Sequence, residues 1–225
     1  MMSTHQIRFS LTTVFLALVS ALALLFAPPA LANSVEDDSG VTWTATREYN
    51  TSSGGYDILV VTDETPASLY WVTADSGGDE APFIAIDPDT GYPVVVWSKA
   101  VLGGNRIRIS WFGGSGFGSP QTVTSGGTQY GDETPHMVLE SDGDIHLVFH
   151  RDHASSDGEA VYMKYSGSWS SPDVFSASGD DVIGSCLVKL IDESIGELEA
   201  EYEYDTSSKR ERCKPSDLGP WMSCD

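Results

Sequence analysis

Three pairs of adjacent acids recur along the chain: Asp79-Glu80, Asp132-Glu133 and Asp180-Asp181. Carboxylates brought together from such pairs could hold a cation or accept hydrogen bonds from a hydroxyl-rich ligand. An Asp at the start of a strand also bonds local backbone and shapes its turn, so the pairs have a purely architectural reading as well. Asp87 with Asp89, and Asp142 with Asp144, offer two carboxylates per turn, short of the roughly six to eight oxygens calcium takes. His146, His150 and His153 form an H-x3-H-x2-H set. On a strand the first two share a face but stand about 13 Å apart at about 3.3 Å per residue. That separation is too large for one zinc ion. The cysteines are Cys186, Cys213 and Cys224. Cys213 and Cys224 could pair across the C-terminal segment, leaving Cys186 as a buried thiol.

The acids sit in a repeat. Asp132-Glu133-Thr134-Pro135 returns Asp79-Glu80-Ala81-Pro82, and Trp169-Ser170-Ser171-Pro172 returns Phe117-Gly118-Ser119-Pro120. Within each unit four short apolar runs alternate with Gly, Asp, Asn, Ser and Pro, which predicts four strands per unit at a period near 50 residues. For the first full unit the strands are expected at 83–86, 93–99, 106–112 and 121–124. For the second they are expected at 136–139, 145–150, 160–165 and 173–176. Upstream, 41–47, 56–62 and 68–73 read as strands two to four of a partial unit. Downstream, 187–191 and 198–204 fit strands one and two of another. Trp43 to Pro66, Trp97 to Pro120 and Phe149 to Pro172 share one spacing, 23 residues. An aromatic side chain on strand two would fill the wedge between neighbouring sheets, and Tyr202 takes that slot in the last unit. Proline suits the start of an outer edge strand, where its missing N–H is not needed.

The expected fold is therefore all-β, a β-propeller of four-stranded antiparallel blades with about three blades' worth of chain and an incomplete ring. The boundaries are 1–32 as a signal peptide, 33–40 as a disordered lead-in, and 41–205 as repeats. The repeats divide into a partial blade 41–78, blades 79–131 and 132–179, and a partial blade 180–205. Residues 206–225 are expected to be a non-repeat tail, because alternation stops there and four of the chain's 12 basic residues cluster in it. On this count strand 198–204 leaves an open sheet edge, a template for pairing with another chain. A homodimer that completes the ring follows as an expectation.

Residues 1–32 carry Arg8, an apolar stretch from Leu11 to Phe26 and a small-x-small end at Ala30-Leu31-Ala32. That pattern predicts export with cleavage near Ala32, to a secreted or periplasmic location. The apolar stretch is shorter than the roughly 20 residues of a membrane span. The formal net charge is −21, which repels nucleic acid and anionic membrane surfaces. No cofactor is expected; calcium is the metal ion the acid clusters would suit.

The unit D-E-x-P-x-h-x-h-D…V-V-W…W-S-x-P resembles the repeats of sialidase-like (BNR-type) β-propellers found in exported bacterial proteins. The resemblance covers roughly residues 41–204 and implies an apparently truncated propeller. Asp-box turns of that superfamily read Ser-x-Asp-x-Gly-x-Thr-Trp; the turns at 87–91 and 141–144 lack the Thr-Trp and lie in another hairpin. A sialidase also needs three arginines on the substrate carboxylate, with a tyrosine nucleophile and a glutamate. The repeats hold Arg47, Arg106, Arg108 and Arg151, and no triad emerges from their positions. The expected function is a non-catalytic exported module that binds a carbohydrate or protein surface at Asp79, Glu80, Asp132, Glu133, Asp180 and Asp181. The alternatives are a fragment of a sialidase-like glycoside hydrolase and a structural module.

Overall fold

The computed structural model describes residues 33–125, 130–154, 157–204, 208–215 and 219–224; the expected signal peptide lies outside them. Among the described residues sixteen strands form four antiparallel sheets of four, each in chain order from the inside out. Blade 1 is β1 (Asn33–Glu36), β2 (Thr42–Asn50), β3 (Gly55–Thr62) and β4 (Leu69–Trp71). Blade 2 is β5 (Asp79–Ile86), β6 (Pro93–Val101), β7 (Gly104–Trp111) and β8 (Gln121–Thr122). Blade 3 is β9 (Tyr130–Leu139), β10 (Ile145–His153), β11 (Glu159–Tyr165) and β12 (Asp173–Val174). Blade 4 is β13 (Val182–Asp192), β14 (Glu197–Tyr204), β15 (Ser208–Lys214) and β16 (Met222–Ser223). The first strands β1, β5, β9 and β13 lie side by side along the inner wall of an open propeller.

Two segments expected to lie outside the repeats belong to blades. Residues 33–36, part of the segment 33–40 that the sequence predicts as a disordered lead-in, form β1 and pair with β2 from Asn33↔Ala45 to Glu36↔Thr42. The segment is short and has one apolar residue, Val35, so it carries no readable alternation. The tail supplies β15 and β16. β15 pairs with β14 along its whole length, so 198–204 is not an open edge. The lost signal in β15 has a physical cause. Its inward residues are Arg210, Arg212 and Lys214, whose alkyl stems cover apolar surface while their polar heads find partners. Pro220 precedes β16 as Pro120 and Pro172 precede β8 and β12, but it follows Tyr202 by 18 residues, not 23. Cys213 and Cys224 close a disulfide across this strand pair, and Cys186 is a buried free thiol.

Three apolar clusters fill the three wedges. Trp43, Ala45 and Val60 of blade 1 meet Ile84, Val95 and Trp97 of blade 2. Val94, Val96 and Ile109 of blade 2 meet Leu147, Phe149 and Met163 of blade 3. Val148, Tyr162 and Phe175 of blade 3 meet Val188, Leu198 and Tyr202 of blade 4. Trp97, Phe149 and Tyr202 thus share one slot, facing the preceding blade. Trp43 does not: it faces the following blade, on the opposite side of its sheet. A spacing match does not fix which face a strand residue takes, because one step of register reverses it.

Candidate functional site

The repeated D-E-x-P segment forms a β-bulge at the head of strand one in blades 2 and 3. Pairing slips between Glu80 and Phe83 on β5, and opposite Val148 and His150 on β10. Ala81 and Thr134 both adopt φ 46°, a left-handed conformation that costs a non-glycine residue energy. The bulge separates the two acids of each pair. The first turns into its own sheet and the second reaches the sheet before it.

The first acids of blades 2 and 3 are buried, and all three are occupied. Asp79 and Asp132 are both 0% exposed. Asp79 accepts from Trp97 Nε1 at 2.8 Å and from Lys99 Nζ at 3.3 Å. Burial raises its carboxyl above the usual carboxylate range, against the pull of Thr73, Lys99 and Trp97. Asp132 accepts from Arg151 Nε at 2.7 Å and from its second nitrogen at 3.4 Å. In blade 4, Asp180 accepts from Tyr202 hydroxyl at 2.7 Å and pairs with Arg210 at 3.3 Å.

The second acids bridge blades. Arg47 of blade 1 reaches Glu80 at 3.2 Å and the Asp79 carbonyl at 3.0 Å. Asn105 of blade 2 donates to Glu133 at 2.8 Å, while Ser98 donates to the Asp132 carbonyl at 2.8 Å. The Gly158 amide of blade 3 donates to Asp181 at 2.9 Å. All six residues expected from sequence therefore lie at the same end of their blades, each in a joint with its own or the preceding sheet. Sequence reasoning missed their partners. The signal was present: Trp97-Ser98-Lys99 and Phe149-His150-Arg151 place a cation two residues beyond the wedge aromatic.

Two carboxylate clusters have the compactness of cation sites, Asp57 with Asp75 and Asp79, and Glu140 with Asp142 and Asp144. Each contains a lysine ammonium. Lys99 bonds Asp75 and Asp79, and Lys164 lies 3.2 Å from Glu140 and 3.1 Å from Asp144. The three histidines stay apart in function. His146 is fully buried between Glu140 at 2.8 Å and the Tyr162 hydroxyl at 2.8 Å. His153 lies 3.0 Å from Glu159. The four repeat arginines are also dispersed: Arg47 and Arg151 serve acid pairs, Arg106 bonds the Asn105 carbonyl, and Arg108 lies by the Pro120 carbonyl.

At the acid-pair end β2 and β3 run on past β1, pairing as far as Asn50↔Gly55 where β1 begins opposite Ala45. The β2–β3 hairpin carries Tyr49 and Tyr56 directly opposite each other, both exposed. The Arg47 guanidinium lies 4.0 Å over the Tyr56 ring. At the opposite end, Asp37, Asp87, Asp142 and Asp192 each cap a backbone amide two residues on, closing the first hairpin of every blade.

No protein-family model and no curated protein sequence matches the chain. Solved structures do. A Hadza microbial sialidase superposes with a TM-score of 0.63 at 12% identity, over 86% of this chain and 46% of its own. The α-L-arabinanase of Penicillium chrysogenum, solved with arabinobiose, gives 0.61 at 12% identity, over 86% of this chain and 66% of its own. The GH93 α-L-arabinofuranosidase of Fusarium graminearum, also solved with arabinobiose, gives 0.61 at 14% identity, over 85% and 63%. At such identities the likeness is one of fold, a sialidase-like β-propeller. This chain spans about half the length of the sialidase and under two thirds of the arabinofuranosidase.

Proposed function

We propose that the chain is a carbohydrate-binding propeller module that uses the acid-pair end of its blades and catalyses no glycoside cleavage. The observation that carries the reading is the occupancy of the first acids. Glycoside hydrolysis needs two carboxylates flanking the scissile bond, one of them able to deliver a proton. Both oxygens of Asp132 are taken by Arg151, and both oxygens of Asp79 by Trp97 and Lys99. Each is also fully buried, so neither is placed to reach a leaving group at the surface. Glu80 remains more than half exposed beside Arg47, a carboxylate and guanidinium suited to sugar hydroxyls. Titration of the whole chain with neutral and sialylated oligosaccharides tests binding, and release of nitrophenol from aryl sialosides and aryl arabinofuranosides tests turnover. Saturable binding without turnover is expected. Hydrolysis abolished by Asp132→Asn or Arg151→Ala would overturn the non-catalytic reading.

A second reading, a portion of a glycoside hydrolase, is favoured by the structural likeness to longer hydrolases. It requires turnover in the same assay once further blades are supplied. Export fits either reading. The Cys213–Cys224 disulfide is at home in an oxidising compartment. Intact-mass measurement of secreted protein should give an N-terminus at Asn33, and retention of Met1 would exclude cleavage.

A further inference from the structure

We infer that Tyr49 and Tyr56 form a stacking platform for a neutral oligosaccharide chain, an inference that rests on the carbohydrate-binding reading above. The two tyrosines are 56% and 45% exposed, and neither belongs to any of the three apolar clusters. Their contacts with each other and with Arg47 steady the hairpin, yet about half of each side chain stays in water. Their rings lie 5.5 Å apart at 74°, an edge-to-face corner open to water over about half of each side chain. A pyranose or furanose ring presents C–H bonds on its faces and hydroxyls on its rim. It can lay a face on one tyrosine and hydrogen-bond the other tyrosine's hydroxyl.

The corner is built before any ligand arrives. Arg47 lies over the Tyr56 ring at 4.0 Å and is itself fixed by Glu80 and the Asp79 carbonyl. The hairpin tip is tied down by Ser52 amide to Asn50 at 2.9 Å and by Ser53 hydroxyl to Asp57 at 2.6 Å. Gly55 packs so closely on the 75–77 backbone that an added Cβ would lie 3.0 Å from two carbonyl oxygens. A rigid aromatic site loses little side-chain freedom on binding. Charge sets the class of sugar. Arg47, the cation against the corner, is already paired with Glu80 and the chain carries a formal net charge of −21, so a sialic or uronic acid would meet net negative charge.

Isothermal titration of the whole chain with xylo-, arabino- and cello-oligosaccharides, and with a sialylated oligosaccharide of similar length, tests the inference. Tyr49→Ala and Tyr56→Ala should each weaken a neutral oligosaccharide about tenfold, the equivalent of about 1.4 kcal/mol. Tyr49→Phe should keep most of the affinity, and Trp71→Ala, an exposed aromatic on β4, should leave it unchanged. Circular dichroism of each variant confirms that the sheet persists. Neutral sugars binding wild type and both alanine variants equally would overturn the platform while leaving carbohydrate binding standing. Tighter binding of the sialylated chain would overturn the choice of a neutral ligand. Failure of wild type to bind any saccharide would overturn the platform and the carbohydrate reading together.

Discussion

The two end sheets of the array each turn one face away from the other blades, and they finish that face with opposite chemistry. In blade 1 it carries Thr44 and Thr46, then Leu59 and Val61, then Leu69 and Trp71, aligned across the strands. Leu69 and Trp71 are exposed. In blade 4 it carries Glu199, Glu201, Glu203 and Glu211, laced by Lys189 and Lys209. Hydrogen bonding and charge from Glu199 and Glu201 raise both lysines above their usual range. The middle sheets differ from both. Their second strands are buried on both faces over Pro93–Ser98 and 145–149. The lesson lies in periodicity. Unbroken apolar runs mark strands covered on two sides, and strict alternation marks a strand covered on one. What stands at the outward positions then decides whether that face suits water or another surface. Glutamate does the first, and threonine with leucine and tryptophan does the second.

The largest effect that could break this comparison lies on the inward side of blade 4. Tyr202→Ala should cost about 3–5 kcal/mol, because it opens a cavity in the last wedge. It also removes the donor to Asp180 and the acceptor for the Ala177 amide. Chemical denaturation gives the total, and hydrogen exchange should show blade 4 loosening ahead of blade 1. Uniform loosening would mean that the ends are not independent.

Acid should act on the same wedge. His136 accepts the Val188 amide at 3.3 Å and lies 4.0 Å from Phe83 with the rings tilted at 50°, and burial pushes its pKa down to about 4. Above its unfolded value near 6.5 the group is neutral folded and unfolded, and contributes no slope. As pH falls from there towards 4 only the unfolded chain takes the proton. Stability should drop by about 2–3 kcal/mol in that window. His136→Asn should flatten the slope; an unchanged slope would assign it elsewhere.

Reducing Cys213–Cys224 should cost about 2–3 kcal/mol, through freedom regained by a short loop. The loss should appear as fraying of β15 and β16, with Trp221 leaving Tyr162 and Phe175. Tryptophan fluorescence reads this directly, and an unshifted spectrum after reduction would remove the clamp. The smallest effects belong to the outward faces. Lys209→Gln should leave the denaturation midpoint in place, as exposed ion pairs do. Leu69→Lys with Trp71→Lys should likewise leave folding intact; if the outward face of blade 1 joins copies of the chain, the double variant should lose the concentration-dependent association that light scattering reads in wild type. Association that persists in the double variant would clear blade 1 of that role.

Most strands were legible because the runs at 93–99, 106–112 and 145–150 combine apolar continuity with Gly and Asp turns. What escaped was the chemistry of strands whose inward positions are not apolar. Asn33 on β1 earns its place through its side-chain oxygen, which accepts the Ile84 amide at 3.1 Å. Lys214 on β15 does so with Nζ on the Gly219 carbonyl at 2.7 Å and the Tyr162 ring beneath it at 5.6 Å. Hydropathy cannot see either contact. The acid pairs were legible as a recurring position, but their partners come from another strand or another sheet. Only pairing across about 20 residues (Asp79 to Lys99, Asp132 to Arg151) would have exposed them.

The joints made by the acid pairs also bear on how such a chain can grow. One acid engages its own sheet and the other the sheet immediately before, so no joint spans more than two blades. A duplicated gene segment that starts at the D-E-x-P codons would carry a self-contained coupling. It would insert a blade by meeting one donor from its new upstream neighbour, and the existing joints would need no rewriting. Blade number could then drift by recombination faster than the blade itself changes.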